Sequence, residues 1–482
     1  MNRKPYALLL LLTFAALLVH GYHPYAEDAE IYIPGIVKLL HPSYYPFGQE
    51  FFMAHAHMTL YPELISWSVR LTHVPLPWAL FLWHLASIFL LLFACWGLAA
   101  KCFPTPAGRR GAVALVAALL TLPVAGTALY LLDQYLNPRS FSAFAVLFTI
   151  DAALEKKYTR AAMWLTFTAV IHPLMAVFGL AFIIILLMMQ SDSLPAASAA
   201  ILLPGLFFSS PSPAYWQALR AETFYSLLRW QWYEWLGLFG PLVILWWICG
   251  IARRRGRPEF ERLCRALLLF GMIFCVASIV VTIPARFEIL ERYQPLRFLY
   301  LVYLLLALFA GGLLGESLLK KSPVRWLLLF APLCAGMCYA QFQLFPADRH
   351  VEWPGAAPTN PWVQAFVWIQ ENTPVEAVFA LNPEFTSLPG EGNQGFRDSA
   401  ERSRLADAEK DWSASSMFPN LAVADDVQAQ VRAAQGWKHF SAEDFERLKQ
   451  AYAVTWVVVE QPGVSGLDCP YRNSAVLVCR LE

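Results

Sequence analysis

The feature that most constrains this chain is a succession of apolar blocks, each roughly 15–25 residues long, separated by short charged loops. Blocks of that length cross a hydrocarbon core about 30 Å thick. A soluble chain of 482 residues would intersperse its apolar residues with polar ones; here 58% are hydrophobic, 15% are charged, and the two kinds are segregated. The pattern describes a multi-pass α-helical membrane protein. Eighteen Trp and nineteen Tyr suit aromatic belts at the two interfaces. A formal charge of +1 offers no basic surface for nucleic acid.

The first span is Tyr6–Val19, behind Met1-Asn-Arg-Lys4. It reads as a retained helix with a cytoplasmic basic end, because Val19-His20-Gly21 is a poor signal-peptidase site. Further spans are expected at Pro77–Ala100, Gly111–Leu132, Phe141–Leu154, Ala161–Met189, Ala196–Ser209, Leu236–Ile251, Ala266–Ile283, Phe298–Glu316 and Trp326–Gln341. Ala161–Met189 contains His172-Pro173 and reads as two short helices or one kinked helix. About eleven spans result if it divides and Ala196–Ser209 crosses, nine if it does not and Ala196–Ser209 is re-entrant.

The loops with Lys101/Arg109/Arg110, Lys156/Lys157/Arg160, Arg253/Arg254/Arg255/Arg257 and Lys320/Lys321/Arg325 are all basic, which assigns them to the cytoplasm. The opposite side receives segments 21–76, 133–140, 211–235 and 284–297, and everything after Gln341. The expected organisation is a transmembrane domain, 1–341, with a long first exterior loop, 21–76. An exterior, periplasmic α/β domain, 342–482, follows, in a protein of a bacterial inner membrane.

In that second part the charge density rises and the apolar runs shorten. Trp362–Glu371 reads as an amphipathic helix stopped by Asn372-Thr373-Pro374, and Ala377–Leu381 and Val454–Glu460 as buried strands. Ser441–Ala451 reads as a helix capped by Ser441, with Asp444 in the capping-box position. Cys469 and Cys479 flank a terminal hairpin. In an oxidising compartment they form a disulfide; the alternative is two free thiols.

The chemistry-bearing residues gather on the exterior side. Tyr25-Ala-Glu27-Asp28-Ala-Glu30 places three carboxylates where uncompensated charge is costly. On a helix Glu27 and Glu30 share a face and Asp28 points about 100° from Glu27. Such a group binds a divalent cation or holds a base toward a hydroxyl; the alternative is an acidic helix start favoured by the macrodipole. The loop goes on through aromatic, half-amphipathic segments expected to lie along the interface. It carries His23, His41, His55 and His57, without the i,i+4 spacing of a helical metal site. Arg286, Arg292 and Arg297 stand on the exterior side against the usual charge bias, and there they grip a phosphate, or else pair with Glu288 and Glu291 or snorkel to lipid headgroups. Asp133 and Arg139 repeat the mixture and line the same cavity in this reading; His172 is a packing residue or a further lining residue.

With these features the chain resembles the GT-C superfamily of polyprenyl-phosphate-dependent membrane glycosyltransferases, in a poorly characterised bacterial branch. The resemblance rests on the early Glu27-Asp28 motif with Glu30, the interfacial helices after it, Arg297 before a late span, and an exterior α/β domain. In that domain Phe366-Val-Trp-Ile-Gln-Glu-Asn-Thr-Pro374, Ala400-Glu-Arg-Ser-Arg-Leu-Ala-Asp407 and Tyr452-Ala-Val-Thr-Trp-Val-Val-Val459 resemble an opening helix, an Arg-to-Asp segment and a closing strand. A Trp-Trp-Asp-Tyr-Gly motif is missing, so asparagine-linked glycan transfer is not implied. What is implied is an inverting transfer from a polyprenyl-phosphate-linked sugar donor. Asp28 would be base or acceptor-orienting carboxylate, Glu27 and Glu30 its assistants, and Arg297 with Arg292 the grip on the lipid phosphate. A divalent cation (Mg or Mn) on Asp28 and Glu27 is an open cofactor. The rival readings are a transporter or flippase, and a non-catalytic component of polysaccharide assembly or export.

Overall fold

The computed structural model describes residues 5–189, 211–388, 391, 393–419 and 422–481. Helix α1 (Tyr6–His20) leads into α2 (Ala29–Leu40), α3 (Glu50–Ala56) and α4 (Tyr61–Thr72), which build the long first loop. Then follow α5 (Leu76–Cys102), α6 (Pro106–Ala118), α7 (Pro138–Leu154), α8 (Tyr158–Ile171) and α9 (Pro173–Met188). After α10 (Pro213–Ala221) come α11 (Trp232–Arg254), α12 (Pro258–Thr282), α13 (Leu299–Leu314) and α14 (Pro323–Leu344). Among the described residues five helical segments are long and apolar enough to cross a membrane; α1 and α9 are shorter and equally apolar. The expected span Ala196–Ser209 lies outside the described residues.

Two expectations are refined by proline chemistry. The Ala161–Met189 block is two helices, broken at His172, because Pro173 has no N–H to continue the ladder. The expected span Gly111–Leu132 is helical only to Ala118, and Pro123 belongs to an irregular stretch that follows. The backbone there is satisfied locally: Val124 N–H donates to Leu129 O at 2.8 Å, Leu132 N–H to Leu120 O at 2.7 Å, and Tyr300 Oη to Leu131 O at 2.8 Å. Non-helical backbone at membrane depth survives where protein surrounds it or where it lines a cavity.

Small residues set the closest packing. A Cβ on Gly111 would strike the Gly311 carbonyl oxygen, and one on Gly315 the Ala107 carbonyl, so α6 and α13 meet backbone to backbone. The basic loops meet at one end of the bundle, where Glu316 pairs with Arg257 at 2.6 Å and Arg255 at 3.2 Å, and Lys101 with Asp151 and Glu155. The start of α7, the start of α9 and the approach to α13 lie at the other end.

The later part of the chain forms α15 (Pro361–Asn372), β1 (Val378–Leu381), α16 (Phe396–Ala400), β2 (Ser403–Arg404), α17 (Lys410–Ser415), α18 (Val423–Ala433) and α19 (Ala442–Tyr452). It closes with β3 (Trp456–Glu460), β4 (Asp468–Arg472) and β5 (Val476–Arg480). The sheet order is β2-β1-β3-β5-β4, parallel across the first three and antiparallel in the terminal hairpin. Strand β1 is buried throughout and carries no polar residue, as a strand covered on both faces requires. Asp444 accepts the Ser441 N–H at 2.7 Å at the start of α19. Cys469 and Cys479 are joined by a disulfide.

Candidate functional site

The acidic motif is divided by where α2 begins. Its first residue is Ala29, with Asp28 at the N-cap, so Glu27 is outside the helix and the expected Glu27/Glu30 shared face does not form. Glu27 adopts φ +57°, rare for a side chain larger than Gly, held there as its N–H donates to Asn393 O at 2.8 Å. Gly395 N–H donates to Tyr25 O at 2.8 Å, so the later part of the chain clamps the motif from above.

Glu27 and Asp28 line a cavity of about 560 Å³ that also receives Asp133, Arg139, His172 and Arg297. The charged residues that the sequence offers from three separate segments therefore meet in one space. Asp28 Oδ2 lies 3.6 Å from Arg139 Nη1, and Asp28 Oδ1 lies 3.4 Å from Lys410 Nζ, which also pairs with Glu27 Oε2 at 2.9 Å. Burial opposes ionisation of Asp28, but Lys410, Arg139 and Arg297 outweigh it and hold its carboxyl at about 2. Burial likewise favours neutral Lys410, and Glu27 and Asp28 outweigh it and push the ammonium up.

The start of α7 explains how Arg139 reaches the cavity. Asn137 Oδ1 accepts the Ser140 N–H at 3.1 Å and Pro138 occupies the first helical turn, fixing the direction of the next side chain. Arg139 then donates to Asp133 Oδ2 at 2.9 Å through Nη2, while Asn137 Nδ2 donates to the same oxygen at 2.6 Å. Arg297 sits one turn before α13, behind a left-handed Gln294 that lets the chain turn into Pro295. Its guanidinium lies over the Phe224 ring at 5.8 Å. Arg139 Nη1 and Arg297 Nε are buried without a hydrogen-bond partner. The N-terminal ends of α7 and α9 and the turn leading into α13 all face this cavity, adding positive potential to the two guanidinium groups.

Other expected residues are placed elsewhere. Glu30 is not in the cavity: it is buried, accepting Arg404 Nη2 and Nε at 2.9 and 3.1 Å on Oε1 and the Arg397 N–H at 2.8 Å on Oε2. Arg397 forks onto Asp411 with two 2.9 Å bonds, and Arg404 contacts Asp407. Arg292 is likewise outside the cavity, in the stretch Ala285–Tyr293, with its guanidinium 4.8 Å from the Tyr293 ring. Glu288 pairs with Arg220 at 2.6 and 2.9 Å.

Two lining residues escape sequence reasoning, and a third, His55, is legible there only as a loop histidine without metal-site spacing. Lys410 is 383 residues from Glu27, and only the tertiary fold joins them. Glu222, in the turn after α10, lines the cavity with its carboxyl pushed up by burial to about 7. His55 lines it as well, lowered by burial to about 4 and so neutral at pH 7. A charged Glu409-Lys410-Asp411 run was visible in the sequence, but nothing in it names a partner.

The donor set does not fit a divalent cation as arranged. Lys410 Nζ bridges the Glu27 and Asp28 carboxylates, the position a metal shared by them would take. Among the described residues no group of three His, Cys, Asp or Glu side chains is arranged to hold a metal.

No family model and no curated protein matches the chain. Among solved structures it is similar to the Archaeoglobus fulgidus oligosaccharyltransferase in the apo form, at 12% identity over 95% of this chain and 70% of that one, with a TM-score of 0.49. The same enzyme in complex with zinc and sulfate gives 12% identity over 95% and 68%, with a TM-score of 0.44. The arabinofuranosyltransferase AftD from Mycobacteria gives 16% identity over 100% of this chain and 40% of that one, with a TM-score of 0.41.

Proposed function

We propose that this protein is an integral-membrane glycosyltransferase that moves a sugar from a polyprenyl-phosphate-linked donor to an acceptor hydroxyl, with inversion, on the exterior face of the inner membrane. The observation that carries the reading is the pairing within one cavity of an ionised carboxylate, Asp28, with the buried guanidinium of Arg139 and the partly buried one of Arg297, whose Nη1 and Nε respectively have no hydrogen-bond partner. A carboxylate beside an anion site is what attack by a hydroxyl and departure of a phosphate require.

In this reading the acceptor oxygen attacks the anomeric carbon on the side opposite the phosphate. The bond from that carbon to the phosphate oxygen breaks, and its electron pair stays on the phosphate. Arg297 and Arg139 meet the charge that develops there, helped by the nearby helix N-termini. Asp28 orients the acceptor hydroxyl and takes its proton. Its low pKa makes it a weak base but keeps it ionised at every physiological pH. Lys410 holds that carboxylate in place, and the exterior segment 342–482 delivers Lys410 to the site. No step is routed through a metal.

Reconstituted protein given a panel of polyprenyl-phosphate-linked sugars and hydroxyl acceptors tests the proposal. It expects a glycoside with the anomeric configuration opposite to the donor's, read by NMR. A product of retained configuration, or vectorial movement of intact donor without sugar release, contradicts it.

A further inference from the structure

A second cavity lies at the end of the bundle remote from Asp28. It is a groove of about 1220 Å³ between α1, α6 and α14, larger than the ~300–1,000 Å³ of drug-sized ligand pockets. Its floor is made of small side chains, among them Ala15, Ala107, Ala114 and Ala118, and its wall of Trp326 and Phe330. The groove exists because α6 is drawn onto α13 through Gly111, Gly311 and Gly315, whereas only 6% of the apolar window of α14 is buried against the rest of the protein.

Its polar features are confined to one end. Arg110, Lys320 and Lys321 stand at the mouth beside Thr105 and Glu316; Arg255 and Arg257 neutralise Glu316, while among the described residues no hydrogen bond or ion pair engages the side chains of Arg110, Lys320 and Lys321. Neighbouring cations are occupied: Arg255 and Arg257 pair with Glu316, Arg262 with Glu259, and Arg109 donates to the Phe103 carbonyl at 2.9 Å. The depth is equally informative. At a helical rise of about 1.5 Å per residue, the lining from Pro323 to Cys334 covers roughly 16 Å. That is half of a ~30 Å hydrocarbon core, the depth of a single leaflet.

We infer that this groove is a binding site for one anionic glycerophospholipid of the leaflet opposite the Asp28 cavity. An acyl chain lies along α1, α6 and α14, and the headgroup phosphate is held by Arg110, Lys320 and Lys321. Charge complementarity selects the occupant. A neighbouring apolar helix would leave the three cations unmatched, and a zwitterionic lipid would bring its own ammonium beside them, whereas an anionic headgroup supplies net negative charge. The lipid serves as a wedge between α14 and the remaining bundle. The inference is independent of the transferase reading, since the site shares no residue with the Asp28 cavity.

The test is native mass spectrometry of the full-length protein in mild detergent, titrated with phosphatidylglycerol or with phosphatidylethanolamine of the same chains. Wild type should retain one phosphatidylglycerol, about tenfold or more in preference to phosphatidylethanolamine. R110A/K320A/K321A should lose that preference. Ala114→Phe, which fills the floor and leaves every charge in place, should weaken retention of both lipids and serves if the triple variant does not fold. Equal retention of the two lipids by wild type overturns the proposal. So does undiminished phosphatidylglycerol binding in Ala114→Phe, or a stoichiometric polypeptide copurifying in place of lipid.

Discussion

Asp28 and Glu30 stand two positions apart in one acidic motif, yet they end in opposite surroundings. Asp28 opens onto a cavity whose arginines keep N–H groups without a hydrogen-bond partner, while Glu30 is closed inside a network of Arg397, Arg404, Asp407 and Asp411. The first cluster is organised to receive something; the second is organised to hold two parts of the chain together. The start of α2 at Ala29 and the positive φ of Glu27 decide which carboxylate goes where. Proximity in sequence is therefore a poor guide to shared chemistry when a helix begins inside the motif.

The comparison can be broken by removing one side of it. Arg404→Ala would leave Glu30 and Asp407 buried without their main cation, costing about 3–5 kcal/mol. The expected result is a large fall in Tm and proteolytic release of the segment after Gln341. An unchanged Tm would move the network out of its clamping role. Arg297→Ala should weaken donor binding by about 10–100-fold, the worth of one charge-assisted hydrogen bond, with a smaller change in kcat. Unaltered donor affinity in a binding titration would count against the phosphate role. Arg292→Ala, outside the cavity, is the matched control and should leave donor affinity alone.

How much of this was legible in the sequence follows from the range of the interactions. The long apolar helices and the α19 cap were readable because hydropathy and capping act over a few residues. That Asp28, Asp133, Arg139 and Arg297 belong together could be expected from charges recurring at the starts of apolar blocks. Lys410 and Glu222 could not, since their contacts are made only after the later part of the chain folds onto α2 and α10. The early stop of α6 was hidden because Leu119–Leu132 is as apolar as a helix. Its Pro123, and the backbone pairs across Val124 and Leu129, decide against one.

Two smaller effects sharpen the electrostatic half of the comparison. Asp28, at about 2, contributes no limb to a rate profile near neutrality, whereas Glu222 titrates at about 7. As pH rises through 7, Glu222 gains a negative charge in the cavity proposed to hold the donor phosphate, so donor KM should rise roughly two- to fivefold. Glu222→Gln should keep the low-pH value throughout; a limb that survives in this variant belongs to another group. The smallest effect concerns Glu352, which burial raises to about 8, beside His23 at 2.7 Å. A carboxyl whose folded pKa is raised holds its proton better folded than unfolded, so its contribution to stability declines from pH 4.5 toward 8. Glu352→Gln should remove that decline and raise Tm at pH 8 by roughly 2 °C, equivalent to about 1 kcal/mol. A Tm–pH curve identical to wild type would contradict the assignment.

The division of the motif is tested most directly by assaying Asp28→Asn and Glu30→Gln side by side for sugar transfer and for thermal unfolding. Asp28→Asn should lose about 100-fold or more in turnover, with a Tm that falls only modestly as the ion pairs to Lys410 and Arg139 are lost. Glu30→Gln should lose Tm first, and turnover only as far as the clamp loosens. Full turnover in a folded Asp28→Asn protein, or lost turnover at unchanged Tm in Glu30→Gln, would contradict the account.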